Sequence, residues 1–296
     1  MDGILVVNKP KGITSFDVVY KVRKVFNEKV GHTGTLDPLA HGVLQILIGK
    51  ATKCSKYLIN HDKEYVVILK LGIKTDTLDE EGKILKEEKV DKKILEKEYI
   101  EKILNKNTGI QMQTPPIYSA IKVNGKKLYE YARKGEEVEI KPRPINIYEL
   151  KLLEINKDEN IIKLNVKCSK GTYIRSLCEK IAEELGTIGY MHDLLRTKAG
   201  SFSINQSVNI EEIEEILESS SNKEKVLENL KSKVITIEDI FCNLNNININ
   251  EIELSKFLNG VSLKKNEDDG LYKIYCNKFI GLGIIKDSKL KRDIII

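Results

Sequence analysis

An apolar run from Val43 to Ile48, broken only by Gln45, constrains the fold more than any other stretch of the chain. A run of this length suits a buried strand. Lys63 to Leu71 reads as a second strand, with Tyr65 near its start, and the two are expected to share one sheet. Ile145 to Leu153 and Ile161 to Cys168 read as consecutive strands joined by the polar turn Lys157-Asp158-Glu159-Asn160, and Tyr190 to Lys198 as another. Ile4 to Val7 is a short strand that runs into the basic turn Asn8-Lys9-Pro10-Lys11-Gly12.

Helical patterns lie between these runs. Ser15 reads as an N-cap, and Phe16, Val19, Val22, Val25 and Phe26 then recur at near-helical spacing, with Lys21, Arg23 and Lys24 mostly on the other face. A solvated face accounts for those cations. Asp79 to Asn107 is highly charged, and Ile94, Leu95, Tyr99, Ile103 and Leu104 predict a peripheral turn and an exposed helix of little chemical interest. Asn209 caps an acidic helix from Ile210 to Leu217, Ser219 to Asn222 reads as a linker, and Glu224 to Leu230 as a second short helix.

With 296 residues the chain has room for one large domain, 1–233, and a small second one, 234–296. The latter is strand-rich, at Leu271 to Cys276, Phe279 to Ile285 and Asp293 to Ile296, and near the lower size limit for folding alone, so it is expected to dock on the main body. Lys+Arg 49 against Asp+Glu 44 gives a net charge of +5, too modest to name a partner by itself. Five scattered cysteines without a CxxC, no signal peptide and no apolar run of membrane-spanning length point to a reduced, cytoplasmic protein with no membrane partner.

Chemistry concentrates in three places. Gly31-His32-Thr33-Gly34-Thr35-Leu36-Asp37-Pro38 is a glycine-punctuated loop whose proline biases Asp37 away from helical backbone; alone it reads as readily as an ordinary turn. Gln113 to Pro142 opens on Pro115-Pro116 and interleaves Lys122, Lys126, Lys127 and Arg133 with Tyr129 and Tyr131. That mixture suits nucleic acid, though both tyrosines could equally be the buried side of a short helix ending at Gly135. Arg175 stands in the first turn of a helix running to Leu185-Gly186, the wrong end for a cation, which suggests a ligand or a carboxylate partner. Lys9 and Lys11, on a turn, are phosphate candidates. Gly49-Lys50-Ala51 does not complete a P-loop, His32, His41, His61 and His192 form no zinc spacing, and neither GxSxG nor GxGxxG is present. A carboxylate acting without metal or cofactor is left.

Taken together, Lys9-Pro10-Lys11-Gly12 with Thr14-Ser15, the Asp37 loop, Lys63-Glu64-Tyr65, Gln113 to Lys122 and Ser169-Lys170-Gly171-Thr172-Tyr173-Ile174-Arg175 resemble, in order, the motifs of bacterial tRNA pseudouridine synthases of the TruB type. The resemblance is strong over residues 1–200, and looser for a C-terminal part similar to the small RNA-binding PUA domain. It implies an α/β (α+β) fold with a central, mainly antiparallel mixed sheet, and isomerisation of the uridine at position 55 in the tRNA T loop to pseudouridine, without a cofactor. It implies that Asp37 is the catalytic carboxylate, that Tyr65 stacks on the base and assists proton removal at C5, and that Arg175 pairs with Asp37. Leu195 corresponds to an apolar residue packing on the flipped base, and His32 to a histidine holding the reorganised T loop. Tyr173 and Lys9 are assigned to substrate binding, and 113–142 to a thumb whose Lys122, Lys126 and Arg133 meet phosphates. The chain departs from the family in carrying His41 where a small hydroxyl residue is usual. A stand-alone monomer acting on the tRNA T stem-loop is expected; a guide-RNA-dependent enzyme and a tRNA-folding module are the alternatives.

Overall fold

The computed structural model describes residues 1–59, 61–218 and 223–296, so the linker expected at Ser219 to Asn222 lies outside the described residues. The main sheet follows the order β8-β1-β2-β7-β3-β6-β5-β4, from β1 (Gly3–Lys9), β2 (His41–Ile48), β3 (Lys63–Leu71), β4 (Gly109–Gln113), β5 (Arg143–Asn156), β6 (Ile161–Cys168), β7 (Gly189–Ala199) and β8 (Val208–Asn209). Only the β1–β8 and β2–β7 pairs of this path are parallel, which makes the sheet mixed and mainly antiparallel.

The Val43 to Ile48 run is apolar because both of its faces are covered. Leu44, Ile46 and Ile48 point into the larger core, while Val43 and Leu47 point into a second core behind the sheet. Gln45 is tolerated there because its amide Nε2 donates to Ala199 O at 2.7 Å and its Oε1 accepts from the Thr33 hydroxyl, so no buried polar group is left unpaired. In β3 the pattern alternates: Tyr65, Val67, Leu69 and Leu71 are buried, whereas Glu64, Val66, Ile68 and Lys70 are half-buried on a face with less cover.

The larger core is closed by α1 (Ser15–Phe26), α2 (Lys97–Lys106), α4 (Ile174–Glu184) and α5 (Ile210–Glu218); α3 (Leu128–Lys134) lies in the segment expected to be a thumb. Two expectations for α1 are corrected. Its N-cap is Thr14, in a reciprocal capping box with Asp17, and Ser15 is buried instead, its hydroxyl donating to Leu36 O at 2.9 Å and accepting from Leu36 N at 2.8 Å. The buried stripe is Val18, Val19 and Val22, and Phe16 lies outside it, exposed to solvent.

The C-terminal strands β9 (Asn246–Asn248), β10 (Leu263–Lys264), β11 (Gly270–Cys276), β12 (Lys278–Lys286) and β13 (Lys289–Ile295) form a separate sheet, ordered β9-β11-β12-β13-β10, around Ile247, Phe257, Ile274 and Leu290. Its Leu282 and Ile294 also enter the second core with Ile237 and Phe241, against Ile4, Val6, Val43 and Leu47. The short strand Ile235–Thr236 pairs with β1.

Where β2 meets β7, Gly42 adopts a φ of +102°, and a Cβ there would stand 2.3 Å from Arg196 O and 2.8 Å from Leu195 Cδ1. Backbone strain and backbone overlap add, so Gly42→Ala is expected to destabilise by about 3 kcal/mol or more. A urea melt in which the variant kept the wild-type midpoint would refute this.

Candidate active site

The Asp37 loop is held from three directions. Ser15 grips Leu36 as described, and Gly12 N donates to Pro38 O at 2.9 Å. The Lys9 ammonium, fully buried, donates to Pro10 O (2.8 Å), Ile13 O (2.7 Å) and Pro38 O (3.3 Å). From β7, the buried Arg196 guanidinium donates to Val43 O (2.7 Å) and Gly34 O (3.1 Å). Both cations bond backbone carbonyls, among them Gly34 O and Pro38 O of the loop. Lys9 is therefore corrected from a phosphate contact to an internal brace.

Within that frame the Asp37 side chain, 42% exposed, faces a cavity of about 390 Å³ lined among others by Tyr65, Tyr118, Tyr129, Tyr173, Met191 and Leu194. Arg175, at the first turn of α4, donates its Nη2 to Asp37 Oδ2 at 3.0 Å and to Tyr118 O at 3.0 Å. Its Nη1 reaches Thr77 O at 3.1 Å and Asp79 Oδ2 at 3.3 Å. The cation at the unfavourable end of its helix is thus compensated by two carboxylates and two carbonyls. Burial pushes the Asp79 carboxyl above the usual range, opposed by the Thr77 hydroxyl and by Arg175. Exposed Glu81 is also raised, by desolvation and by the neighbouring Asp79 and Asp37. The Tyr65 phenol is pushed up by burial, the adjacent Arg196 opposing, and stays neutral near pH 7. A carboxylate fixed by a guanidinium, a neutral phenol and an apolar wall can position a flat polar ring against a nucleophile or base.

The structure brings Asp37, Tyr65, Tyr173 and Arg175 to this one cavity. Tyr173 is clamped there by Gln113, whose Oε1 accepts from Tyr173 N (2.8 Å) and whose Nε2 donates to Tyr173 O (2.9 Å). Leu195 is not among the lining residues. It pairs opposite Val66 and lies against Gly42, while Leu194, opposite Val67, shares the Tyr65 side; the apolar wall is Leu194 with Met191. A slip of one residue along a strand changes its face. His32 stands outside the cavity at the root of the loop, Nδ1 accepting from Gly34 N at 3.3 Å, with burial and Arg196 holding its pKa below the usual value.

Lys122, Lys126 and Arg133 are exposed on the segment 113–142, with Lys126 over the Tyr131 ring and Arg133 over the Tyr129 ring. The buried residue of α3 is Leu128; Tyr129 lines the cavity, and Tyr131 donates to Val123 O. His41 Nε2 lies 3.3 Å from Asp193 Oδ1, which also takes Lys11 Nζ at 2.7 Å. Burial would raise the Asp193 carboxyl, but these two partners hold it well below the usual range. Sequence reasoning missed Asp79, placed in a stretch read as uninformative, and Arg196. Only Arg196 had a signal, sharing the alternate face of β7 with Leu194.

Comparison with known proteins agrees with this geometry. The family model for the TruB family pseudouridylate synthase N-terminal domain matches residues 23–174, and that for the tRNA pseudouridylate synthase B C-terminal domain matches 175–241. The chain belongs to the TruB family. The tRNA pseudouridine synthase B of Clostridium tetani is 45% identical over 291 residues, 96% of this chain and 95% of that one. Its counterpart in Caldanaerobacter subterraneus subsp. tengcongensis is 43% identical over 296 residues, 98% of each chain. Among solved structures, a Cbf5-Nop10-Gar1 complex contains a chain 25% identical with a TM-score of 0.68, covering 95% of this chain and 78% of that one. A chain of an H/ACA RNP bound to a substrate RNA shares the TruB-type fold with a TM-score of 0.70 at 23% identity, covering 99% of this chain and 85% of that one. Among the described residues, no helix is long and apolar enough to cross a membrane.

Burial lowers the Lys9 pKa from 10.5 to about 8. The unfolded chain therefore binds more protons between pH 8 and 10.5, and the contribution of Lys9 to stability rises with pH across that window. Chemical melts of wild type and Lys9→Met should show their stability difference moving in favour of wild type by about 3 kcal/mol from pH 7.5 to 10.5. A difference that stayed flat would contradict the lowered pKa of buried Lys9.

Proposed function

We propose that this chain isomerises the uridine at position 55 in the T loop of tRNA to pseudouridine, acting as a cytoplasmic monomer and without a cofactor. The observation that carries this reading is the Arg175-clamped Asp37 carboxylate beside Tyr65 in one cavity. The relatives at 43% and 45% identity, matched over nearly their whole length, favour a stand-alone tRNA enzyme over a guide-RNA-dependent one.

A uridine stacked in an RNA loop must be extruded before its glycosidic bond is reachable, at a cost of a few kcal/mol. In this reading the base enters between the Tyr65 ring and the Leu194–Met191 wall. Asp37 acts on the sugar or the ring while the C1′–N1 bond breaks; the uracil turns, C5 bonds to C1′, the C5 proton is lost to a base with the Tyr65 phenol assisting, and the freed N1 takes up a proton from solvent. Arg175 keeps Asp37 aimed throughout. Lys122, Lys126 and Arg133 on the thumb meet phosphates, His32 and Tyr173 contact the loop around the extruded nucleotide, and residues 234–296 form a PUA-like RNA-binding module attached to a catalytic unit of 1–233.

Carbodiimide mapping of an unmodified tRNA transcript should show one converted uridine without metal or nucleotide. Asp37→Asn should abolish conversion while leaving hairpin affinity within about threefold, and product formed by that variant would overturn the assignment of Asp37. Asp79→Asn releases one side of the Arg175 clamp, and should slow single-turnover conversion about 10²-fold with little change in binding.

A further inference from the structure

Helix α1 carries a face that neither the core nor the cavity uses. Phe16 and Tyr20 are 64% and 50% exposed, and Arg23 and Lys24 are exposed as well. At about 100° per residue these four positions fall within roughly 100° of arc, opposite the Val18, Val19 and Val22 stripe. The Lys24 ammonium sits 4.6 Å from the centre of the Tyr20 ring. Cations in the last turn suit the helix dipole, but that gives no reason for two aromatic rings to stand in water beside them.

The nearby charges separate by role. Lys21 bonds Glu214 of α5 at 2.7 Å and belongs to the packing between helices. Asp17 is engaged in the capping box, and Glu28 takes the Met1 amino group at 2.9 Å. The exposed face is left cationic and aromatic. It begins next to the residue that holds the Asp37 loop: Ser15, the residue before Phe16, bonds Leu36, the residue before Asp37.

We propose that the Phe16–Tyr20–Arg23–Lys24 face of α1 is a docking surface for the RNA strand flanking the extruded uridine, an inference that rests on the tRNA reading above. The rings stack on bases and the cations meet phosphates. From Phe16 to Lys24 the helix rises about 12 Å, the length of three or four stacked nucleotides at roughly 3.4 Å each.

The test is fluorescence anisotropy of a labelled T stem-loop hairpin, and of full tRNA, across a salt series with three full-length double variants. Phe16→Ala with Tyr20→Ala should weaken binding about tenfold at every salt concentration, leaving the slope unchanged. Arg23→Ala with Lys24→Ala should flatten the plot of log affinity against log salt by about 1.5, with partial recovery in Lys24→Arg. Lys97→Ala with Lys102→Ala, which removes two exposed charges from α2, controls for net charge and should leave the slope at the wild-type value. Equal thermal midpoints exclude unfolding as the cause. Unchanged affinity and slope in both α1 variants would overturn the proposal and leave the face to a protein partner. Wild type that binds tRNA but converts no uridine would overturn the catalytic reading instead, so the two failures are distinguishable.

Discussion

One guanidinium organises the site. Arg175 is buried, and a buried cation is tolerated only where its donors are met and its charge is offset. Here that demand is answered by Asp37 and Asp79 from two loops and by the Thr77 and Tyr118 carbonyls. The arrangement forces four chain segments together: the loop after α1, the turn near Asp79, the thumb and the start of α4. Arg196 plays a parallel part beneath the loop, tying Gly34 and Val43 to β7. The Asp37 carboxylate is presented by a loop, yet that loop is fixed by buried charge to the sheet.

Much of the fold was legible because burial writes itself into periodicity. The β3 and β6 strands run over the residues that the apolar pattern marks, and α4 begins beside the arginine that looked misplaced. Errors arose where two roles compete for one residue type. Ser15 has the chemistry of a cap, but a neighbouring threonine with an aspartate three residues on does that work, and the serine hydroxyl is drawn to the Asp37 loop. Phe16 reads as core because aromatics usually are, and only the three-dimensional packing shows it facing out.

The site was legible in its ordered motifs and opaque in its supports. Asp37, Tyr65 and Arg175 sit in recognisable stretches. Asp79 lies in a charged segment without periodicity, and its importance depends on a contact nearly a hundred residues along the chain. Lys9 looked accessible because turns commonly are, yet this turn folds inward and its ammonium is enclosed by carbonyls. Leu195 and Leu194 are chemically identical neighbours, so only strand register separates the one facing the cavity from the one behind it.

The second core behind β2 bears on how such a protein can be rearranged. Val43 and Leu47 are covered by Phe241, Leu282 and Ile294, so the back of the main sheet is finished by residues that come last in the chain. Cutting at residue 233 would lay bare an apolar surface in the middle of the sheet and strip a paired strand from β1. A boundary drawn in sequence is therefore not a boundary in packing. The C-terminal strands cover the back of the main sheet, and the two are packed as one piece.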